Sequence, residues 1–511
     1  MKQRPLLILA LFLLVPAGAG CSSAPISVGD RVTPIQTVQG EGHRSPLIGE
    51  TVTVEGRVTA VRESSELNGF WLQDRSVVAR SSSGLFVRTS GSSGVSPGDA
   101  VRVTGEVSEL HSDGALPSTQ IEAAELAAAT AAVPVPEPVR IGEGGARIPE
   151  LLDDDSLKSY DPGKDALDFW ESLEGMLVEV GHSTVVGPTS RHGDFVIVPE
   201  SEAGDATRTS HGGILLRPED ENSERITIDP SLLEERIVVK VGDQLIGSVR
   251  GVVHYDFGTY RLVATSPPPI EERPQQGMLT PSPDGVTIAS YNVLNLSAAN
   301  ESHRFESIAG SIVEDLGSPD IVGLQEIQDD SGGQDDGVVT AERTMTRLVD
   351  AIVAAGGPRY VWRQIDPVDN ADGGAPGANI RVAYLVDPER VEIVDRGEGG
   401  AADEVAVRGA GESVELSMSP GRIGTSTDCF LGEGSSDESE GTRKSLALEV
   451  MIGGETYFLI NNHLKSKRGD DPVFGAVQPP LRHTEAQRRC QTELIARVAG
   501  DILGRDPEAN V

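Results

Sequence analysis

The stretch SPPPIEERPQQGMLTPSPDG, from Ser266 to Gly285, divides the chain into two parts with different hydropathy periods. So many prolines cannot continue a helix or a central strand, and the stretch reads as an extended polar linker, residues 269–284. Upstream, the apolar residues mostly alternate with polar ones, as in half-buried strands. Downstream, short apolar runs alternate with stretches of helical period. At 511 residues the chain is too long for one ordinary core and is expected to hold about three domains.

The upstream part itself divides. ETVTVEGRVTAV, GFWLQD, GLFVRT and GDAVRVTGEVSEL are short strand patterns separated by Gly, Ser and Asp turns, which predicts a small barrel or sandwich over residues 26–130. A Pro/Ala stretch, AAATAAVPVPEPVRIG, closes it. A second β-rich module is expected over 137–268, with strands in GMLVEVGHSTVV, GDFVIVP, IVVKVGDQLIGSVRGVVHYD and TYRLVAT and one helical patch in DALDFWESLEGM.

The N-terminus places Lys2 and Arg4 before a ten-residue apolar run, Leu6 to Val15, followed by small residues and Cys21. The run is short for a membrane span, and the order of segments predicts a signal peptide over residues 1–21. The protein is therefore expected outside the cell or on its surface. Gly-Ala-Gly-Cys is similar to a bacterial lipobox, so Cys21 is either lipidated, giving the only membrane attachment expected, or simply part of a secretory signal. The remaining cysteines, Cys429 and Cys490, are an even pair that in an exported protein either form a disulfide or stay as independent thiols.

The net charge is −36, from 43 basic and 79 acidic side chains. Such a surface repels polyanions, so a nucleic-acid substrate needs local basic residues or a bound cation. Phe70, Trp71 and Phe86 are the aromatics that the first β module offers for stacking on single strands, yet it has few lysines, and a bracing role fits as well.

After Val286, VTIASYNVLNL and DIVGLQE are strand patterns. RFESIAGSIVEDL sets Phe305, Ile308, Ile312 and Leu316 on one helical face. TMTRLVDAIVAAG is a helix stopped by Gly356 and Gly357, and TEAQRRCQTELIARVAGDIL sets Cys490, Leu494, Val498 and Ile502 near one face. Strands follow in IRVAYLV, SLALEVMI and ETYFLINNHL. Three apolar runs break into polar groups at their C-terminal ends. They present Asn292, then Glu326, then Asn461, Asn462, His463, Lys465 and Lys467. In layered αβ proteins such ends converge on a cleft. DDSGGQDD (329–336) reads as a solvated acidic loop beside such a site, and DNADGGAPGAN (369–379) as a Gly-rich loop. Arg381 and Arg443 read as salt-bridge partners or substrate contacts.

ASYNVLNL, PDIVGLQEI, GGAPGANIRVAYLVDPERV, TRKSLALEV and INNHLKSKRGDDP, in that order, resemble the endonuclease/exonuclease/phosphatase superfamily, in particular its secreted bacterial branch related to deoxyribonuclease I. The resemblance covers residues 285–511. The segment GEGHRSPLIGETVTVEGRVTAV is similar to the OB-like module that precedes the nuclease domain in that branch. The fold implied is multidomain, with N-terminal β-rich OB-like modules followed by a truncated α+β four-layer α/β/β/α sandwich. The resemblance makes Glu326 a metal ligand with Asn292 beside it, and His463 a contact to the scissile phosphate. Asn462, Lys465 and Lys467 are candidate phosphate contacts.

The implied cofactor is Mg²⁺, with Mn²⁺ or Ca²⁺ as alternatives, since a hard cation offsets phosphodiester charge and takes oxygen ligands. The implied activity is metal-dependent hydrolysis of DNA phosphodiesters, with no protein partner. The alternatives are a phosphatase or phosphodiesterase of small-molecule or lipid esters, and a non-catalytic DNA-binding surface protein. The family also uses an Asp-x-Asn on the strand that Ala509-Asn510-Val511 is expected to begin, and a late Asp-His pair; neither is reached in this sequence, so the chain is expected to be a partial domain with little activity.

Overall fold

The computed structural model describes residues 31–64, 67–75, 80–111, 114–129, 133–202, 208–209, 212–217, 220–273, 285–431 and 441–511. The expected signal peptide with Cys21, and linker residues 274–284, lie outside the described residues. The architecture is β-rich, with several sheets and few helices. It falls into two compact units, divided between Glu272 and Arg273. Among the described residues no helix is long and apolar enough to cross a membrane.

In the first unit a short helix α1 (Ile35–Gln39) precedes five strands: β1 (Thr51–Glu63), β2 (Asn68–Gln73), β3 (Gly84–Arg88), β4 (Ala100–Leu110) and β5 (Ser118–Ala128). They close into a barrel in the order β1-β2-β3-β5-β4, with β3 and β5 parallel and the other pairs antiparallel. Alternation along β1 turns Val52 and Val54 inward, where they meet Phe70, Leu72, Leu85, Val103 and Ile121. Each such side chain, fully buried, contributes about 1.5–3 kcal/mol.

The second β region holds β6 (Val139–Ile141), α2 (Ala166–Glu171), β7 (Leu177–Val180), β8 (Ser183–Gly187), β9 (Phe195–Pro199), β10 (Ile226–Asp229), β11 (Gln244–Leu245), β12 (Val249–Asp256), β13 (Thr259–Ala264) and β14 (Ile270–Glu271). The strands form one nine-stranded sheet. Trp71 and Phe86 point out of the barrel but are covered, packing with Ala60 on Val252 and Val263. His254 meets Trp71 edge-on at 5.4 Å between ring centroids. Phe70, Trp71 and Phe86 are all buried, so none presents a face to a nucleobase. Phe70 fills the barrel core, and Trp71 and Phe86 weld the barrel to the sheet.

The helical patch is amphipathic in an unexpected sense, because every residue of α2, its carboxylates included, is buried. His43 accounts for this. Its Nε2 lies 2.8 Å from Asp168 Oδ1 and its Nδ1 3.4 Å from Glu171 Oε2, while the Tyr260 hydroxyl donates to Glu171 at 2.8 Å. Burial alone would lower the His43 pKa, but hydrogen bonds to Asp168 and Glu171 outweigh it and push it up to about 10.

In the second unit the elements are β15 (Ile288–Leu296), α3 (Ser302–Gly310), β16 (Ile321–Ile327), α4 (Glu342–Ala354), β17 (Val361–Arg363), β18 (Arg381–Val386), β19 (Glu392–Ile393), β20 (Val407–Arg408), β21 (Glu415–Leu416), β22 (Gly421–Ile423), α5 (Asp428–Leu431), β23 (Ser445–Ile452), β24 (Glu455–Asn461) and α6 (Glu485–Arg505). One sheet runs β15-β16-β18-β17. A second runs β19-β23-β22, with β24 also paired to β23, and β20 and β21 form a small ribbon. Three apolar layers separate these elements. Phe305, Ile308 and Ile312 with Met345, Leu348 and Ile352 cover Val322 and Leu324 of the first sheet. Val382, Tyr384 and Val386 meet Leu446, Leu448 and Val450 of the second. Leu494, Val498 and Ile502 of α6 close its far side against Ala447 and Phe458.

α4 begins where the Asp330 carboxylate accepts the Thr344 N–H at 2.8 Å, and ends at Gly356 in the left-handed region. Leu316 departs from the expected helical face and is 38% exposed. The chain widens to a π-helical turn at Ser311–Asp315, which rotates Leu316 off the stripe that Ile312 continues. After α6, Asn510 pairs in parallel with Tyr457.

The His43 clamp has a pH signature. Its folded pKa, about 10, lies above the unfolded value of roughly 6.5. Its stabilisation is therefore fully present below the unfolded value and is lost as pH rises through the folded one. The thermal midpoint of the first unit, followed through Trp71 and Trp170 in a Trp362→Phe background, is expected to fall between pH 7 and 10. His43→Gln should flatten that dependence and remove up to about 4 kcal/mol at pH 7. An unchanged slope in the variant would refute the clamp.

Candidate active site

Topology brings the candidate residues together. β15 and β16 are parallel, so Asn292 and Glu326 lie toward the same sheet edge. In the other sheet Leu446 of β23 pairs with Asn461 of β24. Arg443, just before β23, and His463, just after β24, therefore meet at one hairpin end. The two edges are joined by Asn461. Its amide nitrogen donates to the carbonyls of Leu324 (3.0 Å) and Ala383 (2.9 Å), and its oxygen accepts from Gln325 Nε2 at 2.7 Å. Leu324 and Ala383 are the last pair before the β16–β18 ladder shifts register. Gly323 makes room, since a Cβ there would lie 3.4 Å from the Asn461 amide.

Asn292, Glu326 and His463 do converge. Asn292 Nδ2 donates to Glu326 Oε1 at 2.9 Å, and His463 Nε2 lies 3.5 Å from the same oxygen. Arg443 completes the group, with Nε donating to His463 Nδ1 at 3.0 Å. A guanidinium cannot accept, and of its two contacts to the ring the Nε–Nδ1 one is shorter than the Nη2–Nε2 one at 3.4 Å; assigned on that basis, Nδ1 is the acceptor and Nε2 carries the proton of the neutral ring, facing Glu326. Burial, and next the Arg443 charge, push the His463 pKa down to about 4, with Glu326 acting in the opposite sense. The ring is thus neutral near pH 7 and offers an N–H to an anionic oxygen. Glu326 has φ +64°, and Leu294 and Asn295 beside Asn292 are also left-handed, at +54° and +60°. Such backbone in non-Gly residues is held only where its surroundings impose it.

The outer candidates are placed differently. Asn462 turns its amide nitrogen to its own strand, donating to the Ile460 carbonyl at 2.9 Å. Lys465 is half-buried, with its N–H bonded to Gln491 Oε1 at 3.0 Å, and Lys467 is exposed. Cys429 and Cys490 are joined as a disulfide, with Cα atoms 5.4 Å apart. Arg381 is buried in an ion pair with Asp366 and is structural.

The acidic loop is only partly solvated. Asp329 is fully buried and accepts from Asn379 Nδ2 at 3.0 Å, Asp330 caps α4, and Asp335 accepts from Asn370 Nδ2 at 2.9 Å. Asp372 of the Gly-rich loop accepts from Lys444 at 2.8 Å and pairs with Arg422. A pocket of about 200 Å³ lies between these two loops, lined by Asp335, Asn370, Asp372 and Asn379 and not by Glu326 or His463.

Arg443, which the sequence leaves between salt-bridge partner and substrate contact, lies, among the described residues, against His463 instead of a carboxylate partner. The Gly453-Gly454 turn of the β23–β24 hairpin carries part of that signal. Counting back from Ile452 opposite Glu455 sets Lys444 across from His463 and Arg443 across from Leu464, one position away.

Among the described residues no group of three or more His, Cys, Asp and Glu side chains is arranged to hold a metal ion. Glu326 and Asn292 offer one carboxylate and one amide oxygen, the latter now accepting the Leu294 N–H at 2.8 Å. That set suits a hard cation that keeps most of its waters, rather than a cage of protein ligands.

A sequence family described as a domain of unknown function, DUF8508, matches residues 140–273. No curated protein matches the chain. Among solved structures, the chain is similar to a humanized form of D. rerio TDP2, at 17% identity over 42% of this chain and 55% of that one, with a TM-score of 0.22. It is also similar to D. rerio TDP2 complexed with a single-strand DNA product, at 16% identity over 36% and 48%, TM-score 0.19. The chain thus spans about half the length of these proteins. The second single-stranded DNA binding protein from Mycobacterium smegmatis is matched at 17% identity over 17% of this chain and 98% of that one, TM-score 0.12.

Asn461→Leu keeps the bulk between the sheets but leaves the Leu324 and Ala383 carbonyls and Gln325 without the amide. A loss of about 2–4 kcal/mol is expected in urea unfolding of the second unit. A variant as stable as the parent would show that the amide does not tie the sheets.

Proposed function

We propose that the protein is an exported, divalent-metal-dependent nuclease that hydrolyses phosphodiester bonds of DNA. The observation that carries this reading is the convergence of Asn292, Glu326 and His463, with Arg443, at the junction of two sheets. The three apolar layers of the second unit fit the α/β/β/α sandwich of the endonuclease/exonuclease/phosphatase superfamily. The motif order in the sequence supports the same family. Export is proposed from the N-terminal segment, with or without a lipid on Cys21.

In this reading Glu326, with Asn292 turned to present its oxygen, holds Mg²⁺ or a similar hard cation. Such a cation, when bound, neutralises phosphate charge and lowers the pKa of a coordinated water. The protein's own groups act around it. His463 Nε2–H donates to a non-bridging phosphate oxygen. Arg443 fixes the ring through Nδ1 and adds positive charge, which an acidic protein requires near a polyanion. Lys465 and Lys467, two and four residues beyond His463, extend that positive strip along the backbone of the substrate.

Glu326→Ala in the full gene product is expected to lower Mg²⁺-dependent plasmid cleavage by about 10²-fold or more. Circular dichroism should stay that of the parent. Retained cleavage would remove Glu326 from the role of metal ligand. Assayed in parallel with plasmid, a nucleoside monophosphate and sphingomyelin separate the rival readings. An intact plasmid beside a cleaved small ester points to a small-molecule or lipid phosphoesterase. DNA held in EDTA but never cleaved with Mg²⁺ points to a binding protein.

A further inference from the structure

Gln491 lies on α6, next to Cys490, and is fully buried. Its side-chain amide bonds in two directions. Nε2 donates to Thr442 Oγ1 at 2.6 Å, and Oε1 accepts the Lys465 N–H at 3.0 Å. Thr442 immediately precedes Arg443, and Lys465 follows His463 by two residues. Both partners lie beyond the ladder that pairs β23 with β24, which ends at Leu446 and Asn461. No β pairing therefore fixes the stretches that carry Arg443 and His463, and the Gln491 amide spans the gap between them.

The turn of α6 that carries Gln491 is itself anchored. The Cys429–Cys490 disulfide joins it to α5, and Gln487 Nε2 donates to the Cys429 carbonyl at 3.2 Å. From the α5 side, the Phe430 carbonyl accepts the Thr442 N–H at 2.8 Å. A closed circuit results, running from the disulfide to Gln491, to Thr442 and back to Phe430. Arg443 and His463 touch across the open end of this circuit, at 3.0 Å.

We propose that Gln491 is a positioning residue, which the Cys429–Cys490 bridge holds in place so that its amide sets the Arg443 guanidinium against the His463 ring. The proposal rests on the nuclease reading of the site above. Gln491 reaches no reacting group itself and acts through Thr442 and Lys465. An amide serves both partners, because the Lys465 N–H can only give a hydrogen bond, while the Thr442 hydroxyl is able to receive one. Displacement of a positioned group by about 1 Å can cost roughly 10²-fold in rate.

The test uses the full gene product with Mg²⁺, on plasmid and on bis(p-nitrophenyl) phosphate. Gln491→Met keeps length and volume and removes both bonds. It is expected to lower kcat by about 10²-fold, with KM changed by no more than about twofold. Gln491→Glu can accept from both the Lys465 N–H and the Thr442 hydroxyl, and should recover about tenfold of that loss. Exchange of the Lys465 amide should speed in the Met variant and slow again in the Glu variant. A Met variant with the parental kcat overturns the proposal and leaves the nuclease reading standing. A parent that cleaves neither substrate removes that reading and the proposal with it. If Gln491→Met fails to fold, Thr442→Val, which removes one bond only, is read in the same way. A folded Thr442→Val enzyme of parental kcat is equally fatal.

Discussion

One carboxamide sets the geometry of the second unit. Asn461 sits in a largely apolar seam between two sheets, where the Tyr384 hydroxyl also donates to the Leu446 carbonyl at 3.1 Å, and its three hydrogen bonds reach Leu324, Gln325 and Ala383. Apolar contacts are non-directional and tolerate sliding, whereas a buried amide does not. Any slip would strand buried donors and acceptors at about 1–3 kcal/mol each. Glu326 lies two residues beyond Leu324, and His463 two residues beyond Asn461. The same tie therefore fixes how far each candidate residue projects from its sheet, and the 3.5 Å approach of His463 to Glu326 follows from it.

Charge is distributed to match. Lys444 and Arg422 are consumed by one buried carboxylate, Asp372, in an arrangement that braces the Gly-rich loop. The neighbouring Arg443 directs its hydrogen bonds to His463 and the Leu464 carbonyl and, among the described residues, to no carboxylate. Burying a guanidinium without a hydrogen-bonded carboxylate is costly, and burial does lower the Arg443 pKa. In the proposed nuclease reading, the cation kept at that cost beside His463 would meet the substrate's phosphate. On a chain of net charge −36, local arrangement must supply what the overall field opposes.

Much of this was legible in the sequence, and the remainder was not for physical reasons. The stripe of Leu494, Val498 and Ile502 on α6 and the apolar run ending at Glu326 declare themselves through periodicity, which reports burial; the run ending at Asn292 is a strand as expected, but Ile288 to Asn292 are exposed or half-buried. Trp71 and Phe86 did not, because an aromatic on the outside of a barrel looks the same whether it faces solvent or a second sheet. Likewise nothing local in the helical patch tells that His43, more than a hundred residues away, lies against Asp168 and Glu171. Asp329 and Asp330 looked solvated because acidic composition hides individual caps and buried bonds. Long-range partners are what a one-dimensional reading lacks. The exception, Arg443, could be recovered because a two-residue hairpin turn fixes register.

The backbone at the candidate site is the part the rest of the unit must hold. Glu326, Leu294 and Asn295 all occupy left-handed conformations, each costing a non-Gly residue about 1–2 kcal/mol. Leu294 is 66% exposed and so gains little from burial in return. Two neighbours impose its conformation. Asn292 Oδ1 takes its N–H, and Arg304 takes the carbonyls of Val293 and Leu294. Asn292 thus has two tasks, shaping the β15 terminus through its oxygen and touching Glu326 through its nitrogen. Turning its oxygen toward a cation, as the proposed function requires, would release the Leu294 N–H, so that in this reading metal binding would act on the strained β15 terminus. A relaxed terminus would need no such residue, and the strain is therefore better read as a property of the site than of the fold.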